Sequence, residues 1–388
     1  MQKTKNDVGY HHIVSDSHRE QTMKLPLVTI IITSYNYGRY IRKALESVKW
    51  QTYRPIECII VDDASTDNSI LLIQEFLEKN PNTDTLTFQL HKIQKNSGQL
   101  AAFELGLKKA TGVFLNFLDA DDILLPDFVN THVQVLLNVN VGMSASEQII
   151  IDETDMIVSL TEDDPKAKFK NIYPMESVLE FTNFQERLTL GQIQTEMPPV
   201  YTLNNQFLFG SWLWRPTSNI VFRRGILDLF NYSNEYETWR ICADRLILNL
   251  VHYIAGSCHI NQRLVAYRRH GMNSYSKRKI MGISTYTPNE TRTLDGTKEK
   301  TAFSIFLLFK RRMTEKEGAY SDPAFFRKPV LRILPGLSPI FILSHITLWA
   351  KLIGTYYFLF LILFFFLPFQ WILIRIKKTI LLFTGKLT

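Results

Sequence analysis

The chain has 388 residues, 46% of them hydrophobic and 21% charged, and 44 Lys and Arg against 37 Asp and Glu give a formal net charge of +7. A chain of that length buries a substantial core without covalent staples. The three cysteines, Cys58, Cys242 and Cys258, cannot complete a paired disulfide framework, which points to a reducing compartment. The mild basicity suits nucleotide phosphates or phospholipid headgroups, and the lack of any basic-aromatic stripe argues against nucleic acid as a partner.

Residues 1–24 are polar, with no apolar run after Met1 that would make a secretory signal. His11, His12 and His18 lie there at irregular spacing, and the stretch reads as a disordered tail. From Leu27 the pattern changes. Leu27–Thr33 is a continuous apolar, β-branched run, as expected of a strand buried on both faces of a parallel sheet. A helix follows with Ile41, Leu45 and Val48 on one face. Ile56–Asp62 predicts a second strand, and a helix opens near Asp67 and runs to Lys79. Leu86–His91 predicts a third strand, Leu100, Phe103, Leu107 and Ala110 mark a third helix, and Val113–Leu118 a fourth strand. Strand-helix alternation of this kind predicts βαβ units and a doubly wound, mostly parallel α/β sheet.

Beyond residue 126 the periodicity weakens. A helix is expected over Asp127–Asn138, a surface loop over Thr161–Lys170, a strand over Thr217–Phe222 and a helix beginning close to Asp244. Residues 277–328, broken by Gly282, Pro288 and Gly296, read as a linker. Residues 329–388 read as a membrane-associated region, because Leu352–Ile374 is a run of 23 residues without a charge, enough to span about 34 Å as a helix. Tyr356, Tyr357 and Trp371 lie toward its ends, as interfacial aromatics do.

Polar residues gather where the strands end. The first strand runs into Thr33-Ser34-Tyr35-Asn36 and the second into Asp62-Asp63. The third is followed by Asn96-Ser97-Gly98-Gln99, and the fourth by Asp119-Ala120-Asp121-Asp122. In a parallel sheet those carboxyl ends form the ligand crevice. So many carboxylates at one edge repel one another unless a cation or a donor-rich ligand sits among them. Alternate residues of an extended segment face one way, so Asp119 and Asp121 are candidates to share a site holding Mg²⁺ or Mn²⁺. A polar turn capping the next helix would use the same letters.

The segments VTIIITSYNYGRYIRKALESVKWQTY, IIVDDASTDNS and NSGQLAAFELGLKKATGVFLNFLDADD, in that order, resemble the inverting, GT-A-fold glycosyltransferases of the family 2 type. The match is close over Leu27–Leu125 and looser to Ser276. It implies a nucleotide-sugar-binding half over residues 25–125 and an acceptor-binding half over 126–276. It further implies that Thr33, Tyr35 and Asn36 line the nucleotide pocket with Asn96 and Gly98, and that Asp63 accepts from the base, with uracil the expected one. Asp121 would bind the metal bridging the diphosphate, with Asp119 toward the ribose or the metal. Asp62, beside Asp63, braces the loop, and Asp122 caps the helix after Pro126. Tyr236–Val251 resembles the segment that supplies the base activating the acceptor hydroxyl, here Asp244, with Glu235 and Glu237 as rivals. An aspartate in a first helical turn also stabilises the helix dipole without any catalytic part.

Tyr267–Ser274 resembles an element near the diphosphate, where Arg268, Arg269 or His270 would meet phosphate and His270 is a metal candidate. Trp212 and Trp214 are either an acceptor platform or packing. The resemblance implies transfer of one sugar from a nucleotide-sugar, expected to be a UDP-sugar, to a saccharide or lipid-linked acceptor; with the uncharged run Leu352–Ile374, the expected setting is a membrane, with the catalytic domain on its cytoplasmic face. The contrasting reading is a non-catalytic nucleotide-sugar-binding subunit of a polysaccharide synthase. A processive synthase is disfavoured, since no Gln-x-x-Arg-Trp element occurs.

Overall fold

A computed structural model of the protein describes residues 24–160, 200–203, 214, 216–270 and a helix at 294–314, with short strands at 13–14, 20–21 and 178–181. The chain divides into two compact units, Met1–Thr297 and Lys298–Thr388. Every described candidate site residue lies in the first.

That unit is built on one sheet. In chain order its elements are β1 (Val28–Ser34), α1 (Ile41–Lys49), β2 (Ile56–Asp62), α2 (Ser69–Lys79), β3 (Leu86–Lys92), α3 (Gln99–Lys109), β4 (Phe114–Asp119) and β5 (Ile123–Leu124). There follow α4 (Phe128–Asn138), β6 (Met143–Ile151), β7 (Ile157–Leu160), β8 (Val178–Phe181), β9 (Val200–Leu203), β10 (Ile220–Arg223), α5 (Ala243–Ala255) and β11 (Ser257–Arg268). The strand order is β8-β9-β11-β6-β10-β4-β1-β2-β3, with β5 against β11 and β7 against β6. Strands β3, β2, β1 and β4 are mutually parallel. β10 then runs antiparallel to both β4 and β6, while β11 lies parallel to β6.

The first strands behave as their side chains require. Val28, Ile30 and Ile32 of β1 share a core with Ile41, Ala44, Leu45 and Val48 of α1 and with Ile73 and Phe76 of α2. Ile31 faces the other way, because successive strand residues alternate. There it meets α3 so closely that a Cβ on Gly106 would stand 2.4 Å from Ile31 Cγ2. Helices therefore cover both faces, and the doubly wound expectation holds for this half.

The expectation of a mostly parallel sheet is corrected. Antiparallel β10 inserts between β4 and β6, and β9, β7 and β5 add further antiparallel edges. Thus the sheet is mixed and continuous across both halves. The linker expected over 277–328 is corrected too, by a helix α6 at Leu294–Thr314. Ala302, Ile305, Phe306 and Phe309 recur there at helical spacing and are buried. Inside the expected tail, Ile13–Val14 pairs antiparallel with Glu20–Gln21. The candidate membrane segment at 352–374 lies outside the described residues, as does the loop expected at Thr161–Lys170. Among the described residues no helix is long and apolar enough to cross a membrane.

Winding reverses between β1 and β4, and at such a switch point the carboxyl ends of the strands open a crevice. The opposite rim is closed by one buried carboxylate. Glu57 accepts from Thr29 Oγ1 at 2.5 Å, Thr111 N at 2.5 Å, Thr111 Oγ1 at 2.8 Å and Gly112 N at 2.9 Å. It joins β1, β2 and the entry to β4. Replacing Glu57 by Ala strands these donors, and we expect a loss of about 2–4 kcal/mol, measured as a lower denaturation midpoint at unchanged m-value.

Candidate functional site at the carboxyl rim of the sheet

Strand register brings the acids together. Thr33 pairs with Asp119 across β1 and β4, and Ser34 pairs with Asp62 across β1 and β2. The loops beyond these positions therefore leave the sheet at the same rim, and Asp63 and Asp121 lie on it two strands apart.

Each loop is tied by its own polar side chains. Asp62 is fully buried and accepts from Ser65 N at 2.9 Å and Ser65 Oγ at 2.5 Å, so it braces the β2 loop. Asn36, at a positive φ of 61°, takes Thr66 N at 2.7 Å on its side-chain oxygen and gives its own N–H to Ser65 Oγ at 2.9 Å. Its side chain clasps the neighbouring loop. Tyr35 is 43% exposed at the mouth of the rim, and Thr33 is half-buried. Asp67 accepts from Gly38 N and Ser69 N, both at 2.9 Å. Burial raises its pKa, but these bonds outweigh that and leave it below the usual carboxylate value.

Asp63 spans to the next loop. Its two oxygens accept from Ser97 N at 2.7 Å and Gly98 N at 2.8 Å. Burial raises its pKa above the usual value despite these bonds and the Arg240 charge. Gly98 sits at φ 89°, and a Cβ there would stand 2.6 Å from Arg240 Cα, so only glycine fits. Arg240 donates to Asn96 O at 3.0 Å and Asn96 Oδ1 at 2.5 Å. The Arg240 carbonyl accepts from Gln99 N at 2.8 Å.

Gln99 then joins the two halves of the site. Its side-chain oxygen accepts from Ala243 N at 2.9 Å, in the first turn of α5, and its amide also hydrogen-bonds Asp119. Asp244 follows Ala243 and is close enough to Asp119 for its charge to raise the Asp119 pKa. Burial pushes Asp244 itself up to about 6, against the opposing N–H bond and charge of Arg245. Of its rivals, Glu235 is 2% exposed, and Glu237 forms an exposed pair with Arg240 at 3.7 Å.

Asp121 and His270 meet directly, with Nε2 of the histidine 2.8 Å from a carboxylate oxygen. Both are buried. Burial first, and then the neighbouring carboxylates, push Asp119 and Asp122 well above the usual range. The same acids, after burial, raise the Tyr37 and Tyr267 hydroxyls, which face the group. Among the described residues no three His, Cys, Asp or Glu stand together as a metal site. Hence Asp119, Asp121 and His270 are not a ready-made three-ligand cage. A buried Asp–His pair beside two further acids does fit Mg²⁺ or Mn²⁺, which take one or two protein ligands and complete their shell with phosphate and water.

Two expectations are corrected. Asp122 does not cap α4; its Oδ1 accepts from Arg268 N at 2.9 Å, because the tight turn after β4 points it back at β11. Arg268 is no phosphate contact. It is fully buried, with Nε on Asp121 O at 2.8 Å and Nη1 on Asp152 O at 2.8 Å and Asp155 Oδ1 at 2.6 Å. Trp214 is packing, 2% exposed with Nε1 on Ser257 Oγ at 3.1 Å; Trp212 lies outside the described residues. Arg240, Tyr37, Tyr40 and Ser218, which accepts from Asp119 N at 3.2 Å, have no role in the sequence reading, and Gln99 and Tyr267 enter it only within longer segments. Gln99 was legible, standing directly after Gly98. Arg240 joins the rim from over a hundred residues away, which no local pattern shows, whereas Tyr267 opens the element expected near the diphosphate.

The mixed α/β sheet thus carries acids at the ends of β2 and β4 on one rim, with the polar end of β1 between them. The family model for glycosyl transferase family 2 matches residues 29–229, over half the chain, and the protein belongs to that family. An uncharacterized glycosyltransferase of Nostoc sp. is 30% identical over 248 residues, covering 64% of this chain and 66% of that one. One of Haemophilus influenzae is 32% identical over 130 residues, covering 34% and 50%. The chain thus spans less than two thirds of the length of either relative. Among solved structures, S. aureus TarS 1-349 in complex with UDP-GlcNAc aligns with a TM-score of 0.45 at 15% identity, covering 84% of this chain and 80% of that one. The family match ends before Asp244 and His270.

Asp244 gives a stability test. A carboxyl raised from 3.8 to about 6 on folding carries no penalty below pH 4, where both states are protonated. The penalty grows through pH 4–6 and is complete above 6. The Asp244→Asn protein should therefore melt higher than wild type at pH 8 and level with it at pH 3.5, as read by thermal denaturation.

Proposed function

We propose that the protein is a metal-dependent, inverting glycosyltransferase that moves a single sugar from a UDP-sugar to a saccharide or lipid-linked acceptor. The observation that carries this reading is the joining of the first turn of α5, at Ala243 N, to Asp119 through Gln99, which brings the adjacent Asp244, a carboxylate poised near neutrality, to the acid-rich end of β4. A structural helix-capping aspartate gains nothing from such a setting. A general base does, since its best pKa lies close to the working pH.

In this reading the donor lies along the crevice with its base toward Asp63 and its ribose near Thr33, Tyr35 and Asn36. Each Asp63 oxygen keeps a second lone pair beyond the one used by Ser97 or Gly98, so a uracil N3–H meets an acceptor already fixed in place. Asn36 acts through the loop it clasps, and Asn96 and Gly98 through the Arg240 contact. Asp121 and His270 would hold the cation. A bound Mg²⁺ or Mn²⁺ offsets charge on the departing diphosphate. The acceptor oxygen attacks the anomeric carbon from the side opposite the diphosphate. Its proton passes to Asp244, and the electron pair of the broken C–O bond leaves with the nucleoside diphosphate. Displacement of this kind inverts the anomeric centre.

We further propose that the uncharged run Leu352–Ile374 holds the enzyme at a membrane, with the catalytic unit on the cytoplasmic face. No disulfide joins Cys58, Cys242 and Cys258, which suits that side. Surface polysaccharide or glycolipid assembly is the setting that such an enzyme would serve.

Two measurements test the proposal. Calorimetry of UDP binding should show a Mn²⁺-dependent affinity in wild type that falls at least tenfold in Asp121→Ala; equal, metal-independent binding by both would remove the metal assignment. Asp244→Asn should lower kcat by roughly a hundredfold or more while leaving UDP affinity within about twofold. Retained turnover would move the base elsewhere.

A further inference from the structure

The pair Asp121–His270 has a support that the donor-site reading does not use. His270 lies two residues past the end of β11, where no strand pairing fixes its ring. Its imidazole stacks on Tyr40, with centroids 4.8 Å apart and planes inclined by 28°, and Tyr37 meets it edge-on at 5.9 Å. Tyr40 stands at the start of α1 and is 4% exposed. Over the same Tyr40 ring, 4.8 Å from its centre, sits the Arg268 guanidinium. Arg268 in turn donates Nε to the Asp121 carbonyl. The contacts close a circuit: Asp121 carboxylate, His270, Tyr40, Arg268, Asp121 carbonyl.

Each link has a physical reason. A protein cation over a tyrosine face is attracted by the ring quadrupole, and an imidazole stacked on it loses the freedom to turn about its last torsion. Tyr40 comes from the element after β1, whereas Arg268 and His270 come from the end of β11 and Asp121 from the turn after β4. One ring thus fixes side chain and main chain of Asp121 against each other across three elements. Arg268 is further anchored on Asp155, which Lys43 of α1 also pairs with.

We propose that Tyr40 is a positioning residue for the cation site, acting through His270, and that Arg268 holds Tyr40's partner surface in place. This deepens the reading of Asp121 and His270 as the cation-holding pair and rests on it. Partners that orient a ligating histidine typically change metal affinity by 10- to 100-fold when removed. A side chain that merely fills space would change stability without favouring His270 as its route of action.

The test is a double-mutant cycle on the full chain, with Mn²⁺ affinity in the presence of UDP read by the electron paramagnetic resonance of free Mn²⁺ and folding checked by thermal melting. Tyr40→Met keeps volume and removes the ring, and should weaken Mn²⁺ about tenfold. Tyr40→Phe keeps the stack and should stay within about twofold of wild type. In a His270→Ala background, Tyr40→Met should add nothing further. Full additivity of the two losses, or wild-type affinity in Tyr40→Met, overturns the role of Tyr40 while the cation site stands. Unchanged Mn²⁺ affinity in both Asp121→Ala and His270→Ala removes the cation pair and this inference with it. If the Met variant is not recovered folded, Tyr40→Leu is carried through the same cycle.

Discussion

Mutual repulsion among carboxylates at one sheet edge is the constraint around which the rest is arranged. Asp119, Asp121 and Asp122 stand at the end of a single strand, and Asp244 comes to within electrostatic reach of Asp119. Left alone they would protonate or splay apart. The protein answers with neutral or cationic donors brought from far along the chain. Gln99 bonds Asp119, His270 bonds Asp121, and Arg268 bonds both Asp122 and the Asp121 carbonyl. These tie-backs hold the acids close, yet Asp119 and Asp122 stay well above their ordinary pKa. Burial is the larger cause of that rise and the neighbouring carboxylates the next, and in the proposed reading a divalent cation would offset the second.

That arrangement explains the departure from an all-parallel sheet. Parallel strands β2 and β4, with β1 between them, deliver the acids, but the donors that restrain those after β4 must approach from beyond it. β11 does this by running parallel to β6 and ending at Arg268, and β10 brings Ser218 beside the Asp119 N–H. The antiparallel insertion of β10 sets β6 and β11 on the β4 side of the crevice, so β11 ends at the rim. Fold and site are thus one problem, and the second half of the chain is where it is solved.

Legibility followed from the range of the interactions. β2 matches the sequence reading to the residue, and β1, β3 and β4 within one residue at each end; β1, β2 and β4 are buried along nearly their whole length and so read as predominantly apolar runs. The acids at strand ends were legible for the same reason. β6, MSASEQIII, was not, since its first half carries Ser144, Ser146 and Glu147 inward and their partners lie on other elements. Glu147 pairs with His259 at 2.9 Å, and Asn219 Nδ2 donates to the Ser146 and Glu147 carbonyls. Buried polar residues satisfied over long range imitate a loop in a one-dimensional reading. The role of Arg268 was misread similarly. An Arg-Arg-His run suggests phosphate, but only the tertiary structure shows that one guanidinium is already spent on two carbonyls and Asp155.

Asp63 carries the argument one step further. A carboxylate meant to accept from a nucleobase gains most if its orientation is fixed beforehand, since less ordering remains to be done on binding. Both oxygens are bonded to the Ser97 and Gly98 amides, and Gly98 admits no side chain because the Arg240 backbone lies against it. Arg240 belongs to the segment leading into α5, and its carbonyl holds Gln99, whose side chain holds the first turn of that helix. In the proposed reading, the acceptor for the base and the carboxylate for the acceptor hydroxyl would therefore be ends of one short hydrogen-bonded path, Asp63 to Gly98 to Gln99 to Ala243. A loosened β3–α3 loop would disturb both ends at once, which makes the Asn96–Gln99 turn, rather than either acid alone, the part of the rim with least tolerance for change.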